Sequence, residues 1–333
     1  MIADEDFLSL KQTGLWHSNR LDLGCTLQSF HEIAARQHHC VLFSIIDGTV
    51  DLVAPANLDI QGAVAHRTRL YHQFLQDVVT SRDIQGIIHL LMDVEDLRTS
   101  DDHRVPIFLY QKRAGEHGLL FPDVDFLGGD FYPDMNDTTP YAQKTAAAIF
   151  VGSTTGSLIT MDIAKNRGTP RLDAEFFFRD KPQVTFRLPN IVQCENAEVD
   201  ALLRESGIGE SVITPFEEQL AYKFVISMDG NGATCSRVVM ALASNSVLLK
   251  YTSPYELYYF SAMEPWRHYI PIHTHQDVLD IVEAERRTPG MFASIAAEGR
   301  RFAEHWLRKP ALFSYTASLL RRYQDIFQDP APL

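Results

Sequence analysis

What this chain of 333 residues lacks narrows its function before any motif is read. It has only four cysteines, Cys25, Cys40, Cys194 and Cys235. Widely spaced and without a Cys-x-x-Cys pair, they read as free thiols of a reducing compartment. No run approaches the ~20 apolar residues that span a bilayer, so no transmembrane segment is expected. Basic residues are in deficit, with 30 Lys and Arg against 43 Asp and Glu and a net charge of −13. That balance argues against nucleic acid as a partner and against docking on an anionic membrane. A local arginine cluster can still bind a nucleotide, because net charge says little about one pocket. The opening stretch MIADEDFLSLKQTG has neither a basic start nor an apolar core, and the closing Pro330-Ala331-Pro332-Leu333 is no retention signal. The expected location is therefore cytoplasmic. No Gly-x-Gly-x-x-Gly follows a strand with an acidic residue ~20 positions on, which disfavours a dinucleotide-dependent oxidoreductase. Internal repeats and low-complexity tracts are absent as well.

What remains is ordinary globular composition, 45% hydrophobic and 22% charged, long enough for two domains of ~150 residues. Val41 to Ile46 reads as a strand, Asp47-Gly48 as a turn and Thr49 to Val53 as the answering strand of a hairpin. Leu70, Phe74 and Val78 share one face of a helix. Gly86 to Met92 is a buried strand that runs into Asp93-Val94-Glu95-Asp96, and Val105 to Tyr110 is a second. Carboxylates beyond a strand's carboxyl end stand where ligands bind in open α/β sheets, although a solvated acidic turn explains any one of them. If strand alternation continues, Glu95 and Asp93 face away from Asp96. Residues 121–140 are rich in proline, glycine and aspartate and mark a boundary or part of an acceptor groove. Thr145 to Val151 is a strand or a short buried helix. It enters Gly152-Ser153-Thr154-Thr155-Gly156-Ser157, a loop able to offer N–H and hydroxyl groups to phosphate.

The densest signal runs from Tyr222 to Ile272. Tyr222 to Met228 is a strand, and Asp229-Gly230-Asn231-Gly232 opens a small-residue loop that leads into a helix at Ser236-Arg237. Val247 to Tyr251 is a strand, Tyr255 to Met263 reads as a helix, and Arg267 to Ile272 is extended. This is the βαβ grammar of a parallel sheet covered by helices. The glycines permit close backbone approach, the helix N-terminus favours an anion, and Arg237 can clamp a phosphate. On the glycines alone, turn chemistry is the commoner explanation. His273-Thr274-His275 lacks a companion at metal-ligand spacing and reads as surface histidines, and His38-His39-Cys40 fails the same test for a metal site. Asp123-Val124-Asp125 has the letters of a metal-binding Asp-x-Asp but no strand before it. Ser153 lacks the Gly-x-Ser-x-Gly elbow of a hydrolase.

Several phrases in one order resemble glycosyltransferase family 90, the capsule-associated, lipopolysaccharide-modifying and protein O-glucosyltransferase group. They are Tyr222-Lys223-Phe224, Asp229-Gly230-Asn231, Ser236-Arg237, Ser244 to Lys250, Thr252-Ser253-Pro254 and Glu264 to Pro271, with Ile295 to Phe302 beyond. The resemblance covers roughly residues 85–330. It implies an α/β fold of the B type, two Rossmann-like domains facing across a cleft. Residues 1–140 would hold the acceptor and the base, 141–310 the nucleotide-sugar, and 311–333 a helix crossing back to the first domain. Asp96 matches the last carboxylate of the family's strand-end turn, its proposed general base, with Leu97 and Arg98 replacing the usual aromatic and proline. Phe150-Val151-Gly152-Ser153 resembles the family's Phe-Arg-Gly-Ser loop, with Val151 in place of the arginine. A basic residue further along contacts the donor phosphates in the family, and Arg171 is the candidate here, Arg167 the second. The resemblance thus implies a donor site of Gly152, Ser153, Thr154, Arg171, Asp229, Gly230, Asn231, Gly232, Ser236 and Arg237. It implies metal-free, inverting transfer of a sugar, glucose or xylose, from a UDP-sugar to a glycan, lipopolysaccharide, capsule or protein hydroxyl. No cofactor or metal is expected. The alternative is a non-catalytic nucleotide-sugar- or glycan-binding protein that keeps the fold, and donor turnover separates the two.

Overall fold

The computed structural model describes residues 4–17, 21–54, 62–96, 105–132, 137–233 and 236–328. Leu97, Arg98, Thr234, Cys235 and the closing Pro330 to Leu333 lie outside them. The chain divides into two compact units. The first comprises Met1–Pro133, Pro254–Ala262 and Trp306–Leu333, and the second Asp134–Ser253 and Met263–His305.

In the first unit, α1 (Asp4–His17) and α2 (Leu23–Arg36) precede the hairpin of β1 (Cys40–Ile46) and β2 (Thr49–Ala54). Asp47 and Gly48 both take left-handed φ, 44° and 87°, as a two-residue hairpin turn of the I′ kind requires. After α3 (Ala63–Arg82) come β3 (Ile87–Asp93), β4 (Ile107–Leu109) and β5 (Leu119–Leu120). The sheet order is β2-β1-β3-β4-β5, with β1 antiparallel to β3 and the last three strands parallel. Helix α3 buries Thr68, Tyr71, Phe74, Leu75 and Val78, the i, i+3, i+4 stripe of a core-facing helix. Asp123 caps the short α4 (Val124–Gly128) by accepting from the Asp125 N–H at 3.1 Å.

The second unit is built on β6 (Thr145–Ser153), β7 (Val184–Asn190), β8 (Tyr222–Ser227), β9 (Val247–Tyr251) and β10 (Ile270–Ile272), all parallel. Phe224, Val225 and Ile226 are wholly buried, as a strand covered on both faces must be. The sheet order is β10-β9-β8-β6-β7. Counted along the chain, the second strand lies on one side of the first and the third on the other. The order therefore reverses between β6 and β8, the switch point outside which doubly wound sheets bind ligands. Its helices include α5 (Met161–Asn166), α6 (Pro170–Phe178), α7 (Ala197–Glu205), α8 (Ser236–Ala243), α9 (His275–Arg287) and α10 (Ala293–Trp306). A last helix, α11 (Lys309–Gln324), belongs to the first unit, where Phe313 meets Phe74 edge-on at 5.6 Å and Ser318 bonds Ser9 at 2.8 Å.

Residues 254–262 depart from the expected contiguous segment 141–310 and from the expected helix. Tyr255–Glu256 pairs antiparallel with Lys112–Arg113, and only Phe260–Ala262 forms a helical turn. The aromatic side chains decide this. Tyr258 stacks on Tyr315 at 4.5 Å and donates to the Trp306 carbonyl at 3.1 Å, which anchors the segment in the first unit. Among the described residues no helix is long and apolar enough to cross a membrane.

Candidate active site

At the switch point the carboxyl end of β6 opens into Gly152 to Gly156 and that of β8 into Met228 to Gly232. Arg171 fastens these loops together. Thr169 caps α6 by accepting from the Leu172 N–H at 3.3 Å, and Pro170 sets the first turn, so Arg171 projects from a fixed helix start. Its Nε donates to the Asp229 carbonyl at 3.0 Å and its Nη2 to the Met228 carbonyl at 2.9 Å. Its Nη1 reaches the Ser153 carbonyl at 2.8 Å and Thr155 Oγ1 at 2.7 Å. Arg171 is only 7% exposed. A guanidinium so engaged spends its donors on holding the two loops together. Arg167 instead takes left-handed φ after α5 and lies exposed over the Phe176 ring at 4.1 Å.

Arg237, one residue into α8, is partly exposed. Its Nη2 donates to the Val151 carbonyl at 2.6 Å and its guanidinium lies 4.4 Å above the centroid of Phe150. Phe150 is stacked on Phe186 at 4.4 Å, so the platform is rigid. Gly152 and Gly230 are glycines for lack of room. A Cβ at Gly152 would stand 2.9 Å from the Phe150 ring, and one at Gly230 2.5 Å from Thr155 Oγ1 and 2.9 Å from Arg171 Nη2. Gly232 is buried, and its carbonyl accepts from the Gly230 N–H at 3.2 Å. Ser236 is the first residue of α8. Thr154 is held from within the fold: its N–H goes to the Asn190 carbonyl, and its hydroxyl bonds the Val192 carbonyl and N–H, both at 2.8 Å. It braces the loop from beneath.

In the second unit two participants escaped the sequence reading. Gln193, held at a left-handed φ of 61°, accepts from the Gly156 N–H at 3.1 Å and donates to Asn231 Oδ1 at 2.9 Å. It ties the loops after β6, β7 and β8 together. Lys250 on β9 is the second. Burial pushes its ammonium down, against the opposing pull of Asp229. Burial likewise pushes the Asp229 carboxyl up, against the Ser253 hydroxyl, Lys250 and Arg171. Lys250 reads in sequence as one more strand residue, and only the β8–β9 register, with Ser227 beside Lys250, brings it near Asp229.

In the first unit, β3 ends at Asp93, so alternation stops there. The Asp93 carboxylate accepts from the Glu95 N–H at 3.0 Å and turns the chain. Glu95 and Asp96 consequently share one cation: Arg67 lies 2.6 Å from Asp96 Oδ1 and 3.6 Å from Glu95 Oε2. The expectation that Glu95 faces away from Asp96 is corrected accordingly. Tyr110 donates to Asp96 Oδ1 at 2.9 Å, and Gln111 bonds the Asp96 carbonyl. Burial raises the Tyr110 hydroxyl far above its ordinary value, with the Asp96 charge adding to it, so it stays a donor. Asp96 itself is 38% exposed on its side chain, open to a reactant and fixed in place. His273 bonds Thr252 at the surface, while His275 bridges Tyr251 at 2.7 Å and Asp173 at 3.0 Å.

Comparison with known proteins gives a consistent answer. The family model described as glycosyl transferase family 90 matches residues 72–330. Human protein O-glucosyltransferase 3 is 29% identical over 123 residues, which is 37% of this chain and 24% of that protein. Zebrafish (Danio rerio) protein O-glucosyltransferase 2 is 27% identical over 158 residues, 44% of this chain and 31% of that protein. Rat (Rattus norvegicus) protein O-glucosyltransferase 1 is 22% identical over 273 residues, 76% of this chain and 65% of that protein. The chain thus matches about a quarter to two thirds of the length of these relatives. Among solved structures, the C-terminal domain of a glycosyl transferase group 1 family protein from Francisella tularensis covers 47% of this chain and 83% of its own. It is 13% identical with a TM-score of 0.30, too low to argue from. With its family model matched over more than half its length, the chain belongs to glycosyl transferase family 90.

Proposed function

We propose that this chain is a glycosyltransferase that moves a sugar from a UDP-sugar to a hydroxyl of a protein or glycan acceptor, with inversion and without a metal. The observation that carries the reading is the meeting of two small-residue loops, Arg237 and Lys250 at the carboxyl ends of β6, β8 and β9. That is the chemistry of a diphosphate site: backbone N–H groups, a helix start and cations. Arg237 meets the diphosphate, whereas Arg171 acts by holding the loops. Asp96 serves as general base. It takes the proton of the acceptor hydroxyl, whose oxygen attacks the anomeric carbon as the bond to the diphosphate breaks on the opposite face. Charge growing on the leaving diphosphate is met by Arg237, Lys250 and loop N–H groups. Arg67 and Tyr110 hold Asp96 in orientation. The B-type arrangement is part of the proposal, the first unit serving the acceptor and the second the donor.

The test is a panel of nucleotide-sugars. A matching UDP-sugar stabilises the protein by RT ln(1 + [L]/Kd), which raises its melting temperature, and is turned over with release of UDP without added metal. Binding without turnover selects the non-catalytic reading. Activity lost on chelation and restored by manganese contradicts the metal-free mechanism.

A further inference from the structure

Cys40 and Asp93 are direct partners across the antiparallel pair β1–β3. Paired residues present their side chains on one face, about 4.5–5.5 Å apart at Cβ, so the register itself sets a thiol beside a carboxylate. Both are buried, at 0% and 1% exposure. His39 lies in the turn before β1, and its backbone carbonyl accepts from the Val94 N–H at 3.0 Å, which fixes it beside the strand end. Its Nε2 stands 3.9 Å from Asp93 Oδ2. The three potential ligand atoms, imidazole nitrogen, thiol sulfur and carboxylate oxygen, lie within 4.8 Å of one another.

We propose that His39, Cys40 and Asp93 form a binding site for a thiolate-ligated divalent transition ion, zinc before others, which braces the turn leading to Asp96. The donor set selects the ion. Sulfur and imidazole suit zinc, whereas magnesium, calcium and manganese prefer all-oxygen shells. A tetrahedral zinc holds its ligand atoms roughly 3.5 Å apart, so side-chain rotations must draw the three slightly inward. The thiol now donates to Gln37 Oε1 at 3.3 Å. On binding it gives up that bond and releases its proton to solvent, and thiolate plus carboxylate then balance the ion's two charges. The imidazole is 19% exposed, which leaves a route for the ion and for a water as fourth ligand. Because Asp93 also accepts from the Glu95 N–H, the ion would stiffen the turn that ends at Asp96. Only that last consequence rests on the proposed function; the site does not.

The test uses the whole chain without a histidine tag. The protein is stripped of metal and titrated with cobalt(II), followed by absorption. One equivalent is expected to give the sulfur-to-cobalt charge-transfer band and the visible bands of a tetrahedral ion. Zinc should displace both. Cys40→Ser should abolish the charge-transfer band, and Asp93→Asn and His39→Gln should each weaken binding at least tenfold. If Cys40→Ser does not fold, the partly exposed His39→Gln still decides. No charge-transfer band with folded wild-type protein overturns the proposal, as does binding that Cys40→Ser leaves unchanged. UDP-sugar affinity should be equal in the zinc-loaded and stripped protein, so failure of the transfer reading and failure of this site are read separately.

Discussion

Arg237 and Arg171 carry the same group and differ in what it is bonded to. Arg237 is partly exposed at the start of α8, over Phe150 and bonded to the Val151 carbonyl. Arg171 is buried and donates to four acceptors of the loops themselves. Removing a charge-assisted bond to a ligand costs about 1.5–3 kcal/mol, or roughly 10–100-fold in affinity. Arg237→Ala should therefore weaken UDP binding by that factor, and Arg237→Lys should recover only part, since the fork is lost. Titration calorimetry with UDP checks it; unchanged affinity in Arg237→Ala removes the arginine from the site. Arg171→Ala should act first on stability, by on the order of 3 kcal/mol, because it strands buried carbonyls. Thermal melts without ligand distinguish the two, with Arg171→Ala expected to lose far more than Arg237→Ala.

Among the elements, β8 is held from both ends. Its loop is fastened by Arg171, and its start by Lys223, whose Nζ lies 2.6 Å from Glu285 on α9, both side chains nearly or fully buried. Burial pushes the Glu285 carboxyl up, but Lys223 and the N–H groups of Gly290 and Phe292 outweigh it and hold the group below its ordinary value. A carboxylate with a depressed folded-state value stabilises above its unfolded value, and that contribution is lost as pH falls through the folded one. Lys223→Met leaves the carboxylate buried without its ammonium and should destabilise the unit by about 3–5 kcal/mol near neutral pH. The gap should shrink in acid, where Glu285 is protonated in either protein; urea unfolding at the two pH values measures it, and a gap that widens in acid contradicts the assignment. Strands β8 and β9 were legible because buried parallel strands read as unbroken apolar runs, whereas the run of β6 read equally as a short buried helix. Tyr255 to Met263 was not, because its tyrosines sit at helical spacing yet are held by Phe126, Tyr315 and the Lys112–Arg113 pair, partners distant in sequence. The Glu95 orientation failed for a local reason, the turn that Asp93 makes with its own carboxylate.

At the scale of the whole chain, the phrases that carried the family resemblance have two kinds of cause. Some surround the switch point. Others hold the frame: Asn245 donates to the Asp137 and Thr139 carbonyls and accepts from Arg300, while Asp137 pairs with Lys144 at 2.7 Å. The loops after β6 and β8 could be read in advance from their small residues. Arg67, Tyr110, Gln193 and Lys250 could not, because a residue's place in a site made by strand order is invisible until the order is known. The central claim is a division of labour, with the base in the first unit and the donor site in the second. Asp96→Asn keeps the size of the side chain and removes its capacity to take a proton. Its transfer rate and its donor Kd, measured on one preparation, test the claim most directly. The account predicts transfer reduced by roughly 10²–10⁴-fold with donor affinity unchanged. Transfer at the normal rate in Asp96→Asn would contradict it.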